Sequence, residues 1–199
     1  MPATTTFKSR PTYARLTPRP GLRHLLVADE AGGPALLDLV QSAPADFAGH
    51  CRILLAAPGV SDCAVALSGL GALSFATAPG VAAILPRLRQ MLATARMGTR
   101  LYVAGAEGLI GQATALALEA GMETGAIQAE HRGSLARRVQ CVHCKGVTEN
   151  VVTQPARCAH CGLTLLVRDH WSRRLGAFQG VCIDAEEPGS APPTEEAFA

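Results

Sequence analysis

A chain of 199 residues can bury one good core plus a small appended module, and 48% apolar residues with only 4% aromatics call for a core of Ala, Val, Leu and Ile. Such a core suits helices packed on a parallel sheet. A net charge of +2 gives no general pull toward nucleic acid, and no apolar run approaches a membrane span, so a soluble protein with neither partner is expected.

Residues 1 to 23 are polar and Pro-rich, carry Lys8, Arg10, Arg15, Arg19 and Arg23 without an acid, and lack the apolar region of a secretory leader. They read as an extended arm lying on its own domain or on a partner, or, over the first ten residues, as a disordered tail. A reducing, cytoplasmic location follows. From His24 short apolar runs alternate with helical segments. HLLVAD (24 to 29) reads as a buried strand, GPALLDLVQSA (33 to 43) as a helix with Leu36, Leu37 and Val40 on one face, and RILLAA (52 to 57) as a second strand. A helical stretch around Ser61 to Leu70 follows, then a third strand, ALSFATA (72 to 78), and a helix from Val81 to Ala95 that Pro86 kinks or starts. RLYVAG (100 to 105) is the fourth strand, AEGLIGQATALALEAG (106 to 121) the clearest helix and AIQAE (126 to 130) the last strand. Strands alternating with crossover helices imply an α/β domain with a parallel, doubly wound sheet over residues 24 to 131.

Sheets of this kind bind ligands at the carboxyl ends of their strands, which singles out the turns DEAGGPA (29 to 35) and AGAEG (104 to 108). Gly32, Gly33, Gly105 and Gly108 would let backbone amides approach a pyrophosphate at a helix N-terminus. Neither turn spells G-x-G-x-x-G, and glycine-bearing strand-to-helix turns are common without a ligand.

The next stretch, HRGSLARRVQ, holds His131, Arg132, Arg137 and Arg138 and reads as a solvated basic linker in preference to a contact with phosphate or an acidic partner. Beyond it CVHC and CAHCG, thirteen residues apart, contain Cys141, Cys144, Cys158 and Cys161, four of the seven cysteines. Two residues between thiolates let one tight turn present both sulfurs to an ion, and a second such turn completes a tetrahedron. A closed structural zinc site is the best fit, with iron its main competitor and free thiols third. His143 and His160, inside the knuckles, read as exposed turn residues, and Cys51, Cys63 and Cys182 as small buried hydrophobes. VTENVVTQPAR (147 to 157) reads as one β-ribbon hairpin and LTLLVRDHWS (163 to 172) as a strand. A module this small, residues 132 to 185, relies on an ion in place of a core. Arg168, Asp169, His170, Ser172, Arg173 and Arg174 form the densest polar cluster, in which Asp169 is placed to hold His170 in one tautomer. No nucleophile with a credible base accompanies them, so Arg168, His170, Arg173 and Arg174 read as a partner interface, with an internal salt bridge as the alternative. The acidic, Pro-rich tail, 186 to 199, is expected to be disordered.

LYVAGAEGLIGQATALALEAGM followed by AIQAE resembles the pyridine-nucleotide domain of ferredoxin reductase and phthalate dioxygenase reductase type enzymes. Ala104 and Ala106 stand where that family has the cysteine and proline of a Cys-Gly-Pro turn. The first turn runs Asp29, Glu30, Ala31, Gly32, Gly33, Pro34, with two acids near where a phosphate should lie. A flavin barrel and a plant-type ferredoxin spacing are both missing. The resemblance therefore implies a reductase half that has lost its own catalysis. Together with the knuckles and LLVRDHWSRRLGAFQGVCIDAEEPG, the domain resembles the small accessory, DmmA-like subunits of dimethylamine monooxygenase, also called haem-dependent oxidative N-demethylase. RDHWSRRLGAFQGV is the most specific part. This resemblance implies a subunit not catalytic by itself, in a complex that oxidises dimethylamine with oxygen and NADPH. Haem would lie on one partner subunit, and FMN and an iron–sulfur cluster on a reductase subunit. A second reading is an electron-transfer component that binds NADPH at Gly32, Gly33, Gly105 and Gly108. A third, a zinc-ribbon protein that binds nucleic acid, is disfavoured by the low net charge and the lack of exposed aromatic steps.

Overall fold

The computed structural model describes residues 9–198. Residues 13–134 form one compact unit, and residues 135–198 together with 9–12 form another. None of the helices among the described residues is long and apolar enough to cross a membrane.

In the first unit, β1 (Arg23–Asp29), β2 (Cys51–Ala56), β3 (Ser74–Ala78), β4 (Thr99–Gly105) and β5 (Ile127–His131) form one sheet in the order β3-β2-β1-β4-β5. Every pairing in it is parallel. Each crossover carries a helix: α1 (Gly33–Gln41), α2 (Asp62–Ser68), α3 (Val81–Ala93) and α4 (Glu107–Glu119). The three central strands, β1, β2 and β4, carry continuous apolar runs because both faces are covered. Side chains alternate across a strand, so Leu26, Ala28, Ile53, Leu55, Tyr102 and Ala104 point to one face, where Leu36, Leu39 and Leu67 of α1 and α2 pack. Leu25, Val27, Leu54, Leu101 and Val103 point to the other, against Ile84, Leu88 and Leu92 of α3 and Ala113 and Ala117 of α4. α3 neither starts nor stops at Pro86, which lies inside it.

The N-terminal arm lies along β5, one of the sheet's two outer strands. The Ala14 amide donates to the Ala129 carbonyl, the Leu16 amide to the Glu130 carboxylate at 2.7 Å, and Thr17 and Gln128 bond in both directions. Glu130 is buried and also accepts from the Arg132 guanidinium, so its charge is compensated. Further along, the Arg19 amide donates to the Tyr102 hydroxyl.

The second unit contains β6 (Arg137–Cys141), β7 (Val147–Val151), β8 (Thr153–Gln154), β9 (Ala156–Arg157), β10 (Thr164–Ser172), β11 (Ala177–Cys182) and β12 (Glu195–Glu196). Five of them make a mixed sheet in the order β7-β6-β11-β10-β9, and β12 pairs with β8. Residues 147–157 are therefore not the single hairpin expected. β7 pairs with β6 and β9 with β10, at opposite edges of the sheet, because each cysteine knuckle forms the turn of its own hairpin. The core is small: Val139, Val151, Ala156, Leu165, Val167 and Phe178, with Cys141 and Cys158 among them.

The basic stretch before Cys141 also departs from the expected solvated linker. Arg137 opens β6, is 3% exposed, and lies between the rings of Phe178 and Phe198, 4.2 and 4.0 Å from their centroids. Its guanidinium donates to Asp169 at 2.8 Å, and Arg10 completes the ion-pair network from the other side at 3.2 Å. Asp169 reaches Arg137 because the β10–β11 register shifts between Arg168 and Trp171, a bulge that re-aims the side chain. Arg138 pairs with Glu149 and donates to the carbonyls of Leu175 and Gly176. The tail expected to be disordered is anchored at its end. Glu195 and Glu196 pair with Gln154 and Thr153, and the Phe198 ring holds its place by covering Arg137.

Replacing Arg137 with Ala removes the cation from both rings and leaves a half-exposed Asp169 with Arg10 alone. We expect a loss of about 3 kcal/mol, read from the denaturant midpoint of Trp171 fluorescence. A midpoint unchanged from wild type would show that the sandwich does not hold this sheet together.

Candidate metal centre

Cys141 ends β6 and Cys158 follows β9, so each C-x-x-C pair sits where a strand turns back on itself. The two knuckles share one backbone plan. Cys141 N–H donates to the Gly146 carbonyl and Cys158 N–H to the Leu163 carbonyl, both at 2.9 Å. Lys145 N–H donates to the Cys141 carbonyl and Gly162 N–H to the Cys158 carbonyl, both at 3.0 Å. The residue after the second cysteine is left-handed in each, Lys145 at φ 64° and Gly162 at φ 74°. Glycine adopts that conformation freely. Lys145 adopts it with its ammonium donating to the Val142 carbonyl at 2.6 Å.

These turns bring four sulfurs within 4.8 Å of one another, a cluster that could bind a metal. Cys141 Sγ lies 3.8 Å from Cys161 Sγ, and Cys144 Sγ lies 3.7 Å from Cys158 Sγ. A tetrahedron of thiolates with metal–sulfur bonds of about 2.3 Å has edges of about 3.8 Å, so the donor set fits one tetrahedral ion. Burial raises the Cys158 pKa, but the backbone amides of Cys161 and His160 and the thiols of Cys161 and Cys144 point at its sulfur and bring it down to about 6. His160 lies outside the cluster. Its Nε2 bonds the Val147 carbonyl at 2.8 Å and its ring closes against Gly146, so it fastens the second knuckle onto the first. His143 is exposed.

The four candidate glycines fall on two turns that meet at the carboxyl ends of β1 and β4. Asp29, the last residue of β1, lies between them. One carboxylate oxygen accepts from the Gly32 amide at 2.9 Å and the other from the Ala106 amide at 2.8 Å. Gly32 and Ala106 are the N-caps of α1 and α4, and neither helix has a cap of its own. One internal carboxylate therefore serves two helix N-termini, the kind of position at which doubly wound sheets in general bind phosphate. The glycines follow from this packing. A Cβ on Gly105, at φ +142°, would overlap the Asp29 carboxylate, and one on Gly32 would overlap the Ala104 carbonyl. Gly33 abuts the Cys63 sulfur, while Gly108 has open space around it. Glu107 adds a second carboxylate in the first turn of α4 and accepts from the Tyr13 hydroxyl at 3.3 Å. Two amides of this crevice, those of Gly32 and Ala106, are thus taken by Asp29, and the side chains of Asp29 and Glu107 beside them are acidic.

The cluster on β10 separates into two kinds of residue. Asp169 is committed to Arg137 and Arg10 and does not hold His170. Arg168, His170, Arg173 and Arg174 are exposed, and among the described residues Arg168 reaches Gln179, at 3.5 Å. Among the other cysteines, Cys51 is fully buried and its thiol, raised to about 12 by burial, bonds the Phe47 carbonyl. Spacing alone does not disclose the double capping by Asp29; an acid at the end of the first strand, followed by two glycines, was its only signal.

Two outcomes test this geometry. Changing Cys141 and Cys144 together to Ala should abolish metal retention and the cooperative unfolding transition of Trp171, as prolonged chelation of the wild-type chain should; a double variant that melts like wild type would remove the ion from the fold. Asp29→Ala should cost about 2–4 kcal/mol, and Asp29→Asn, which keeps one acceptor oxygen, about half of that. Amide exchange at Gly32 and Ala106 reports it locally, and protection equal to wild type in Asp29→Ala would refute the capping role.

Comparison with known proteins places the chain. Residues 5–127 match the N-terminal domain, and residues 138–181 the C-terminal domain, of the family described as dimethylamine monooxygenase subunit DmmA-like. The chain is 38% identical over 110 residues to the haem-dependent oxidative N-demethylase delta subunit of Ectopseudomonas mendocina (strain ymp). That match covers 55% of this chain and 63% of the relative, less than two thirds of the relative's length. Among solved structures, the siderophore-interacting protein SipS from Aeromonas hydrophila is similar over 57% of this chain and 51% of its own, at 18% identity and a TM-score of 0.39, a likeness too slight to carry an argument. With both family domains matched in order along one sequence, the chain belongs to the dimethylamine monooxygenase subunit DmmA-like family.

Proposed function

We propose that this chain is an accessory subunit of a multi-subunit, haem-dependent monooxygenase that uses NADPH to N-demethylate dimethylamine oxidatively. The observation that carries this reading is the pair of family matches spanning both units, supported by the relative named as a subunit of a haem-dependent oxidative N-demethylase. The first unit, on this reading, is a ferredoxin-reductase-type nucleotide domain kept as a scaffold, and the second is a zinc ribbon. Cys141, Cys144, Cys158 and Cys161 hold one structural zinc, which would supply cross-linking and no chemistry, since four thiolates leave no open coordination position. Haem belongs to one partner subunit, and FMN and an iron–sulfur cluster to another. The complex is cytoplasmic, where thiolates stay reduced. Arg168, His170, Arg173 and Arg174, exposed on or just past β10, meet a partner subunit.

The alternative, an electron-transfer component binding NADPH at Gly32, Gly33, Gly105 and Gly108, has the Asp29 geometry against it. Its carboxylate holds the Gly32 and Ala106 amides, two of those at the helix N-termini where a pyrophosphate would lie, and sets a negative charge there.

Purifying the chain alone and with the other subunits separates these readings. We expect a colourless single chain with one equivalent of zinc and no saturable NADPH binding, and haem and flavin absorbance only in the copurified complex. Iron, flavin or haem on the isolated chain, or NADPH binding by it, would make it a redox component instead.

A further inference from the structure

The parallel sheet of the first unit has a second end. At the amino ends of β1, β2 and β4, away from the Asp29 crevice, a groove of about 990 Å³ opens. Arg19, Arg23, Arg52 and Arg96 line it, against one carboxylate, Asp46. The ion pairs among the described residues use other arginines, so no carboxylate neutralises these four. Arg19 and Arg23 donate to the backbone carbonyls of Gly125 and Leu22, while Arg52 and Arg96 are exposed and without a side-chain partner among the described residues. In a chain whose net charge is only +2, this is a local concentration of positive charge and not a reflection of composition.

Much of the rest of the groove is apolar. Leu22 and Met97 stand on its rim, 71% and 95% exposed. Phe47 and His24 form part of its floor, with ring centroids 4.2 Å apart. His24 is 3% exposed, and its Nδ1 has no hydrogen-bond partner among the described residues. Burial, with His50 and Arg100 nearby, holds the His24 pKa below its ordinary value. Exposed apolar side chains grouped in this way mark interaction surfaces, and apolar side chains interspersed with arginines suit a protein–protein contact.

We propose that this groove docks an acidic segment of another subunit, one that sets carboxylates against Arg52 and Arg96 and an apolar side chain between Leu22 and Met97. The proposal rests on the accessory-subunit reading. Charge complementarity names the occupant: four uncompensated guanidinium groups select carboxylates, and the exposed Leu22 and Met97 select a polypeptide with an apolar anchor over a free inorganic anion.

The test coexpresses the full chain with the other subunits of its oxygenase and measures assembly by sedimentation over a range of salt concentrations. The double variant Arg52→Glu, Arg96→Glu should assemble about ten-fold or more weakly and lose most of the salt dependence. Met97→Asp, which changes a side chain on the surface and can be checked for folding by circular dichroism, should weaken assembly to a similar extent. If wild type assembles and both variants match it, the groove is not the docking site, while the accessory-subunit reading stands. If the wild-type chain does not assemble, both fall.

Discussion

Four sulfurs held within 4.8 Å of one another are the constraint on which the second unit depends. Its apolar core is a handful of side chains, and two of its buried residues, Cys141 and Cys158, are themselves members of the cluster. The two hairpins that carry the knuckles lie at opposite edges of the sheet, β6 with β7 and β9 with β10, with β11 between them. A tetrahedral ion held by the four thiolates would join these hairpins directly. That is the task a second layer of secondary structure performs in a larger domain, and one that a sheet of this size cannot supply from its own side chains. His160, bonded from one knuckle to the strand that follows the other, reinforces the same junction.

The first unit solves a different problem by related means. Two helix N-termini converge at the carboxyl ends of β1 and β4, and their unpaired amides and positive dipole ends call for an anion. In a nucleotide-binding domain the anion arrives with the ligand. Here it is part of the chain: Asp29 reaches Gly32 and Ala106 with separate oxygens, and Gly105 makes room for it by lacking a side chain. A domain arranged in this way does not depend on a bound anion at this point for its integrity.

The parallel sheet was legible because its central strands carry uninterrupted apolar runs, and its helices because apolar residues recur on one face; α3 begins at Val81 as expected and runs through Pro86. The four sulfurs that cluster were legible from spacing. What escaped was built from contacts distant in sequence. Arg137 and Arg138 look like a solvated linker because charge in a sequence suggests water, and nothing local announces that Phe178 and Phe198 will enclose a guanidinium. Composition likewise hides the end of the tail, where a single phenyl ring outweighs a run of acids and prolines. Asp169 beside His170 suggested a dyad, but the bulge in β10 turns the carboxylate toward Arg137.

The arm along β5 has a practical consequence. The repeating strand and helix pattern begins near His24, so a shortened chain starting there would seem to preserve the whole sheet. It would instead strip β5 of its cover: Ala14 and Thr17 would no longer meet Ala129 and Gln128, and Glu130 would lose the Leu16 amide. An uncovered outer strand with unpaired amides and carbonyls invites edge-to-edge pairing between molecules. Such a truncation is expected to fail through poor solubility and aggregation, even though every residue of the sheet is present.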